Sequence, residues 1–312
     1  MKILSSLPVQ KVQRENVRSI LSEAEFLGVK DFSQVDQDVE ILVSFGQEIT
    51  EETILNFPRL RWIQVMSAGI DHLPLQTMAV RGIALTNVRG VHQIQMSEHI
   101  LWNILTLMRQ GQIYIRHQVQ KVWDPEVRIE ELYGKTVCIV GAGSIGEAVA
   151  KKCRAFGMTV WGVSRSGKKH QAYDCMGTMD DLPAFLGSSD IVVVILPLTA
   201  ETFGMFNKDL FSQMKAGSYF VNVARGPVVN EPDLLVALNT GKIRAAALDV
   251  FMQEPLPQSS PFWGLDNVLL TPHVGGRTPH YTARAFEIFM KNLRFYPDFE
   301  QMHNHIDLSK GY

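Results

Sequence analysis

Cysteine is scarce in this sequence, with 3 among 312 residues, at Cys138, Cys153 and Cys175. Their number is odd and no two have C-x-x-C spacing, which argues against a disulfide framework and a cysteine-ligated zinc site. Cys138 lies in an apolar run, where a free cysteine is usually a small buried hydrophobe. This usage is typical of the reducing cytosol, where we expect the protein to be. His303 and His305 form an H-x-H without further ligands, so we expect no metal.

Long apolar runs and a predominance of either charge are also lacking. The longest apolar run, residues 191–198, is far shorter than the roughly 20 residues of a membrane-spanning helix. Residues 1–4 lead directly into two serines and Pro8, so we expect no secretory signal peptide. With 30 Lys and Arg against 32 Asp and Glu, the net charge of −2 favours neither nucleic acid nor a membrane as partner. What is present, 46% apolar residues, suits globular domains, and the length allows two.

A glycine-rich turn, residues 141–146, is the most informative feature. It follows a strand pattern and precedes a helical one, the context in which G-x-G-x-x-G binds a dinucleotide. Gly141 permits the tight turn, Gly143 lets backbone approach a pyrophosphate, and Gly146 lets the helix pack on the strand. With Ser144 and Ile145 at the helix N-terminus, this turn predicts a dinucleotide site; the alternative is a structural turn.

Strand and helix patterns alternate along the chain, which predicts an α/β fold of parallel sheets with helices on both faces. In the first third we expect strands at 2–6, 40–44, 62–66 and 83–87, and helices at 12–26 and 49–55. Later strands, expected at 137–140, 159–163, 191–196, 219–223, 245–250 and 268–271, suffice for a full dinucleotide fold.

Two helical patterns bear on the domain organisation. The pattern over 95–116 is apolar on more than one face, so this helix either connects two domains or lies in a subunit interface. A second pattern, over 281–293, carries the chain onward past Pro279. If that helix packs back on the first domain, the first domain is discontinuous in sequence.

Three of the later strands end next to residues of complementary chemistry: Arg225, Glu254 and His273. Ligands of open α/β sheets bind beyond the carboxyl ends of the strands. A guanidinium binds a carboxylate, a histidine transfers protons near neutral pH, and a carboxylate orients the histidine. Each residue alone suits a surface or loop role. Together, beside a nicotinamide, they suit the interconversion of 2-keto and 2-hydroxy acids.

The chain resembles the D-isomer-specific 2-hydroxyacid dehydrogenase family over residues 45–287. The motifs that carry the resemblance are 66–71, 141–146, 196–199, 221–226, 247–255 and 271–276. The resemblance implies that His273 is the acid/base, Glu254 its partner and Arg225 the substrate anchor. It implies that the amides of Ala68 and Gly69 hold the substrate carboxylate. It also implies nicotinamide or cofactor-channel contacts for Asp249, Pro197, Thr202, Val223, Ala224 and Gly275.

The resemblance further implies two doubly wound domains and a dimer. We expect a flavodoxin-like substrate-binding domain of residues 1–98 plus 281–312, with a Rossmann domain of residues 99–280 inserted into it. The family's long helix and arm mediate dimerisation, so we expect a homodimer through the 95–116 helix and the segment around Trp123. Trp123 itself either closes the partner's site or simply packs.

One departure from the commonest family pattern concerns the cofactor. The acidic residue that usually follows the second Rossmann strand is absent, and Ser164, Arg165 and Ser166 stand there instead. Hydroxyls and a guanidinium suit the 2′-phosphate of NADP, so we predict NADPH, with NAD as the alternative. The competing interpretation is a merely solvated turn. In this respect the chain is most like NADPH-dependent glyoxylate/hydroxypyruvate reductases.

The sequence therefore predicts an enzyme that reduces small 2-keto acids such as glyoxylate or hydroxypyruvate. A short phosphoglycerate dehydrogenase working in the oxidative direction is the alternative within the same class. A cofactor-gated binding scaffold is the alternative from another class, which the lack of long disordered tails disfavours.

Overall fold

The computed structural model of the chain describes residues 1–29, 32, 37–70 and 72–308. The chain divides into two compact units, Met1–Val91 with Thr278–Tyr312, and His92–Arg277. The sequence-based boundaries fell between residues 98 and 99 and between 280 and 281. In the described part of the chain, no helix combines the length and apolarity needed to cross a membrane.

The first unit is an α/β structure, as the alternating pattern predicts. Its elements before the second unit are β1 (Lys2–Ser5), α1 (Lys11–Ile20), β2 (Glu25–Gly28), β3 (Val39–Ser44), α2 (Glu51–Asn56), β4 (Trp62–Val65), α3 (Leu75–Val80) and β5 (Ala84–Thr86). Among the described residues the strands form one five-stranded parallel sheet in the order β2-β1-β3-β4-β5, which is the flavodoxin-like order. Leu42 faces one apolar core while Ile41 and Val43 face another, because neighbouring side chains of a strand point to opposite faces.

Strand β2 lies partly where the sequence predicted a helix over 12–26, so the end of that prediction was wrong. The helix stops at Ile20, and Leu21 has extended dihedral angles of φ −127° and ψ 90°. Glu25 then pairs with Lys2 of β1. Phe26, buried at this sheet edge, packs its ring 5.8 Å from that of Phe289. This distant contact favours the strand, and no local pattern contains it.

The second unit begins with two helices, α4 (Gln93–Met108) and α5 (Gly111–Gln120), where the sequence predicted one helix over 95–116. The prediction of a single helix was wrong because Gln110 has a φ of 56°, in the left-handed region that ends an α-helix. Helix α4 buries Ile100, Ile104 and Leu107 within the second unit. Among the described residues of α5, none is buried.

A larger parallel sheet forms the body of the second unit. Its elements are β6 (Thr136–Val140), α6 (Ser144–Ala155), β7 (Thr159–Val163), β8 (Cys175–Gly177), α7 (Leu182–Ser188), β9 (Ile191–Val194), α8 (Lys208–Gln213), β10 (Ser218–Asn222), α9 (Glu231–Asn239), β11 (Ile243–Leu248) and β12 (Val268–Leu270). Within the described chain the sheet has seven strands in the order β12-β11-β10-β9-β6-β7-β8. This is the dinucleotide-binding order with its topological switch point between β6 and β9.

Both faces of the larger sheet are buried. Val137 and Ile139 of β6 face one apolar core, and Cys138 and Val140 face the other. The three-residue strand β8, which the sequence did not predict, pairs with β7 at the edge. Because all pairings are parallel, the carboxyl ends of these strands lie along one edge of the sheet, where ligands bind.

The last helix, α10 (Tyr281–Leu293), returns the chain to the first unit. Phe289 stacks on Trp62 of β4 with ring centroids 5.5 Å apart. The Asn292 amide donates a 3.1 Å hydrogen bond to the Gln64 side chain in the same strand. The first unit is therefore built from two separate stretches of sequence.

Candidate active site

The glycine turn connects β6 to α6 and is closed by backbone packing. Gly141 has a φ of 108°, and a Cβ there would lie 2.5 Å from the Ile195 carbonyl oxygen. A Cβ on Gly146 would lie 2.7 Å from the Gly141 carbonyl oxygen. Only glycine fits at these two positions, since contacts below about 3 Å with backbone atoms cannot be relieved by a side-chain movement.

Gly143 differs from the other two glycines of the turn in the space around it, and this difference indicates a ligand. A Cβ on Gly143 would meet no atom within 4 Å. The helix that follows begins at Ser144 and has no side-chain cap. Its first N–H groups, on Ser144, Ile145 and Gly146, have no acceptor within the helix and lie at the positive end of the helix dipole. This cradle fits the pyrophosphate of a nicotinamide dinucleotide, whose charge these amides would bind.

The turn after β7 contains the predicted 2′-phosphate residues. The Ser164 hydroxyl accepts a 3.2 Å hydrogen bond from the Gly167 N–H, which fixes the turn. Arg165 and Ser166 are exposed. β7 neighbours β6 in the sheet, so this turn and the glycine turn stand at adjacent strand ends.

The remaining predicted cofactor residues follow β9 and β10, on the other side of the switch point. The Thr202 hydroxyl donates a 2.7 Å hydrogen bond to the Pro197 carbonyl oxygen and thereby closes that loop. Val223 and Ala224 are buried in the two cores of the second unit. A ligand at this edge would therefore meet chiefly the backbone of Val223 and Ala224.

His273 and Glu254 form a direct pair. The His273 Nδ1 lies 2.8 Å from the Glu254 Oε2, and the other carboxylate oxygen accepts a 2.9 Å bond from the Phe251 N–H. Glu254 is thus held from both sides, and it fixes the plane of the imidazole. His273 is 48% exposed, so its Nε2 is available to a ligand. The structure thus brings these two predicted residues into direct contact.

Arg225 follows β10, next to the loop that carries Glu254. Its Nη1 donates a 2.7 Å hydrogen bond to the Ala224 carbonyl oxygen, and the side chain is exposed. At Gly226, a Cβ would overlap the backbone carbonyl of Phe251. The backbone of Gly226 is therefore pressed against the residue that binds Glu254. The loops that carry Arg225, Glu254 and His273 follow three adjacent strands. Each loop contacts the next, through Gly226 against Phe251 and through Glu254 bonded to His273.

Asp249 lies at the end of β11, 2% exposed. Its Oδ1 accepts bonds from the Thr271 hydroxyl (2.5 Å) and the Val274 N–H (2.9 Å), and its Oδ2 from the Gly275 N–H (2.9 Å). His99 Nε2 is 3.4 Å from the Oδ1. Burial alone would raise the pKa of Asp249, but these donors, His99 foremost, hold that pKa below its usual value. Asp249 is therefore an anion built into the His273 loop.

His92, just before α4, is a neighbour of Arg225 that the sequence did not point to. Burial lowers the pKa of His92; the Gly276 carbonyl opposes this, and the Arg225 charge adds to it. The Gln95 side-chain nitrogen lies 3.3 Å from the His92 Nδ1 and donates to the Gly276 carbonyl oxygen at 3.3 Å. Burial therefore disfavours a second positive charge, on His92, beside that of Arg225.

Ala68 and Gly69 belong to the first unit, in the loop after β4. The Asn87 amide donates to the Ala68 carbonyl oxygen (2.9 Å) and the Ser67 hydroxyl to that of Gly69 (2.8 Å). These bonds fix the loop through its carbonyl groups. Asp71, the last residue of the motif at 66–71, lies outside the described residues.

His99 and Gly226 are functional candidates that the sequence reasoning missed. Gly226 adjoins Arg225, and a glycine directly after a strand-end arginine was an available signal of close backbone approach. His99 lies in the middle of α4, 150 residues from Asp249 in sequence, and no local pattern pairs the two.

Comparisons with known proteins agree with this geometry. Residues 101–275 match the family model described as the D-isomer specific 2-hydroxyacid dehydrogenase NAD-binding domain, and they lie within the second unit. A glyoxylate reductase of Pyrococcus furiosus is 35% identical over 266 residues, 82% of this chain and 79% of that protein.

Two solved structures are similar over the whole chain. A D-isomer specific 2-hydroxyacid dehydrogenase of Xanthobacter autotrophicus Py2, in complex with NADPH and MES, has a TM-score of 0.82 and 30% identity, covering 100% of this chain and 99% of that one. An NADPH-dependent glyoxylate/hydroxypyruvate reductase of Sinorhizobium meliloti, in complex with NADP and sulfate, has a TM-score of 0.81 and 27% identity, with the same coverage. Sequence and fold thus agree with the strand-end chemistry, and the chain belongs to the D-isomer specific 2-hydroxyacid dehydrogenase family of oxidoreductases.

Proposed function

We propose that this enzyme reduces small 2-keto acids, such as glyoxylate or hydroxypyruvate, with NADPH. The observation that carries the proposal is the 2.8 Å pair of His273 and Glu254, with the exposed Arg225 following a neighbouring strand. Glyoxylate reduction is the activity named for the Pyrococcus furiosus relative, and NADPH dependence is named for the Sinorhizobium meliloti protein.

Each of the three residues has a defined part in this chemistry. The reduced nicotinamide, when bound, supplies a hydride to the carbonyl carbon of the keto acid. His273 donates the Nε2 proton to the carbonyl oxygen as negative charge develops there. Glu254 holds Nδ1 and stabilises the protonated imidazole before the transfer. Arg225 binds the substrate carboxylate and draws electron density from the adjacent carbonyl.

The cofactor and substrate contacts complete the proposal. The N–H groups of the glycine turn and of the start of α6 bind the pyrophosphate, and Ser164, Arg165 and Ser166 bind the 2′-phosphate. The first unit binds the substrate carboxylate through the N–H groups of Ala68 and Gly69, the role that the family resemblance gives them. Pro197, Thr202, Val223, Ala224, Asp249 and Gly275 border the cofactor.

Turnover assays test the proposal. We expect NADPH oxidation with glyoxylate and hydroxypyruvate, faster than with NADH, and slower turnover of pyruvate. Oxidation of 3-phosphoglycerate with NAD, in place of keto-acid reduction, would identify a short phosphoglycerate dehydrogenase. Tight NADPH binding without turnover of any of these acids would favour a cofactor-gated scaffold and would contradict the proposal.

The enzyme is further proposed to be a homodimer. Ile115 and Val119 of α5 are 61% and 79% exposed, and Trp123 in the following segment is 94% exposed. Several exposed large apolar side chains within one short segment suit an interaction site, and a second copy of the chain would cover them in an isologous interface. Light scattering at micromolar concentration should give about twice the chain mass of 35.1 kDa. A concentration-independent monomer would contradict this.

A cytosolic location is proposed from the thiols. Cys138, Cys153 and Cys175 are all free, as in proteins of reducing compartments. Cell fractionation followed by immunodetection tests this. Recovery outside the cytosolic fraction would contradict it.

A further inference from the structure

The carboxylate of Asp249 is held chiefly by the loop that carries His273. A carboxylate has about four acceptor positions. Thr271, Val274 and Gly275 occupy three of them at 2.5–2.9 Å. The His273 N–H also donates to the Asp249 carbonyl oxygen, at 2.8 Å. The whole turn from 271 to 275 is thus folded around one buried residue.

This turn holds His273 in an unfavourable backbone conformation. His273 has a φ of 52°, in the left-handed region that residues with a Cβ seldom adopt. Such a conformation persists only where its surroundings impose it. The hydrogen bonds that the Thr271 hydroxyl and the Val274 N–H, on either side of His273, donate to Asp249 impose it here.

His99 contacts the two side chains that hold this turn, those of Asp249 and Thr271. Its Nε2 lies 3.4 Å from the Asp249 Oδ1 and 3.4 Å from the Thr271 hydroxyl. The His99 side chain is 13% exposed, and its ring is 5.6 Å from the ring of Trp102 on the same helix. A Cβ on Gly275 would lie 2.9 Å from the His99 Cδ2, so the loop rests on the imidazole itself.

We propose that His99 is a positioning residue for the acid/base histidine. It orients the Asp249 carboxylate and the Thr271 hydroxyl, and through them it holds the left-handed turn that presents His273. This inference rests on the proposed function, because that function gives His273 its proton transfer. The inference also gives Asp249 the role of holding the turn of His273, in addition to any contact with the nicotinamide.

Two variants separate the hydrogen bond from the packing. His99→Phe keeps a ring against Trp102 and Gly275 but removes the Nε2 donor, whereas His99→Gln keeps a donor. We expect His99→Phe to lower kcat on the order of 10–100-fold, because a small misplacement of a catalytic group has that effect. The KM for glyoxylate and the Kd for NADPH should change little, and His99→Gln should recover most of kcat.

A second readout needs neither cofactor nor substrate. In the protein alone, hydrogen exchange of the peptide spanning residues 271–277 should be faster in His99→Phe than in the unmodified enzyme, since the amides of Val274 and Gly275 lose a fixed acceptor. Exchange in the glycine turn at 141–146 should be unchanged. Faster exchange throughout the second unit would instead show a general loss of packing and would overturn the proposal.

A double-variant cycle and a control complete the test. If His99 acts through Asp249, adding His99→Phe to Asp249→Asn should lower kcat little further. Glu98→Gln, an exposed neighbour on α4, should behave like the unmodified enzyme. Additive losses, or an unchanged kcat in His99→Phe, would overturn the proposal. An unmodified enzyme that turns over no 2-hydroxy or 2-keto acid would instead refute the proposed function.

Discussion

At the scale of single residues, His273 provides the clearest prediction. His273→Ala removes the proton donor for the developing alkoxide, a contribution typically worth about 10²–10⁴-fold in rate. We expect kcat for glyoxylate reduction to fall by that factor while the Kd for NADPH is maintained. His303→Ala is the matched control, since His303 is exposed in the first unit and should tolerate the change. Equal losses in both variants would argue against a specific role for His273.

Arg225 is expected not to tolerate lysine. Arg225→Lys keeps the positive charge but loses the planar fork that binds a carboxylate through two hydrogen bonds. Losing one charge-assisted bond corresponds to about 1.5–3 kcal/mol, so kcat/KM for the keto acid should fall roughly 10–150-fold. Steady-state kinetics together with NADPH titration measures this. A weakened NADPH affinity with intact keto-acid kinetics would make Arg225 a cofactor residue instead.

The third prediction at this scale concerns the choice of cofactor. Arg165→Ala should weaken NADPH binding by roughly 10–150-fold and leave NADH binding nearly unchanged, because only NADPH carries the 2′-phosphate. Adding Ser164→Asp should favour NADH further, since a carboxylate accepts hydrogen bonds from the ribose hydroxyl and repels phosphate. Lys169→Ala is the control for an unspecific effect of positive charge. An unmodified enzyme that prefers NADH would contradict this role of the turn.

At the scale of elements, the glycine turn combines a structural and a functional glycine. The methyl group added in Gly143→Ala meets no neighbouring atom, so the melting temperature of this variant should not change. Its affinity for NADPH should fall, because the methyl group occupies the phosphate cradle. Gly146→Ala meets the Gly141 carbonyl oxygen at 2.7 Å and should lower the melting temperature as well. Calorimetry and NADPH titration of both variants measure the difference. Equal melting temperatures for both would contradict it.

How far the sequence predicts each element depends on how local its causes are. The β6–turn–α6 unit was predictable because its glycines, strand and helix are contiguous. The division of the 95–116 pattern into α4 and α5 was not, since apolar periodicity continues across Gln110 while its backbone turns left-handed. Strand β2 depends on Phe289, and the site's support depends on His99 meeting Asp249. Such contacts exist only once the fold has formed.

At the scale of the whole molecule, acidic groups couple stability to pH. Burial would raise the pKa of Asp190, but Lys215 and the Thr136 N–H outweigh it and lower that pKa. The pKa of Glu130 is lowered chiefly by Lys135. A carboxyl group whose pKa is lower in the folded state stabilises the fold above its unfolded pKa, about 4, and loses this contribution as pH falls through the folded value.

We therefore expect the free energy of unfolding to decrease between pH 5 and pH 3, as measured by urea titration. The Asp190→Asn variant should have a lower free energy of unfolding than the unmodified protein at pH 7. On acidification its free energy of unfolding should fall less, because the carboxyl group that titrates has been removed. Asp190 bonds the start of β6, at the sheet edge opposite the strand ends of the site, so kcat at pH 7 should be retained. An equal acid-induced loss in both proteins would contradict the assignment.

The interrupted first unit has a consequence for the newly made chain. Trp62 of β4 stacks on Phe289, and in the sequence the whole second unit lies between these two residues. At ribosomal rates of about 5–20 residues per second, the roughly 230 intervening residues separate the synthesis of the two rings by about 11–45 s. During that interval this face of the first sheet is covered only in part, by α1 with Val17, while the second unit can already be complete. The first unit, although it begins the sequence, is thus the last to finish folding. Chaperones that bind the newly made chain would meet its incompletely covered sheet first.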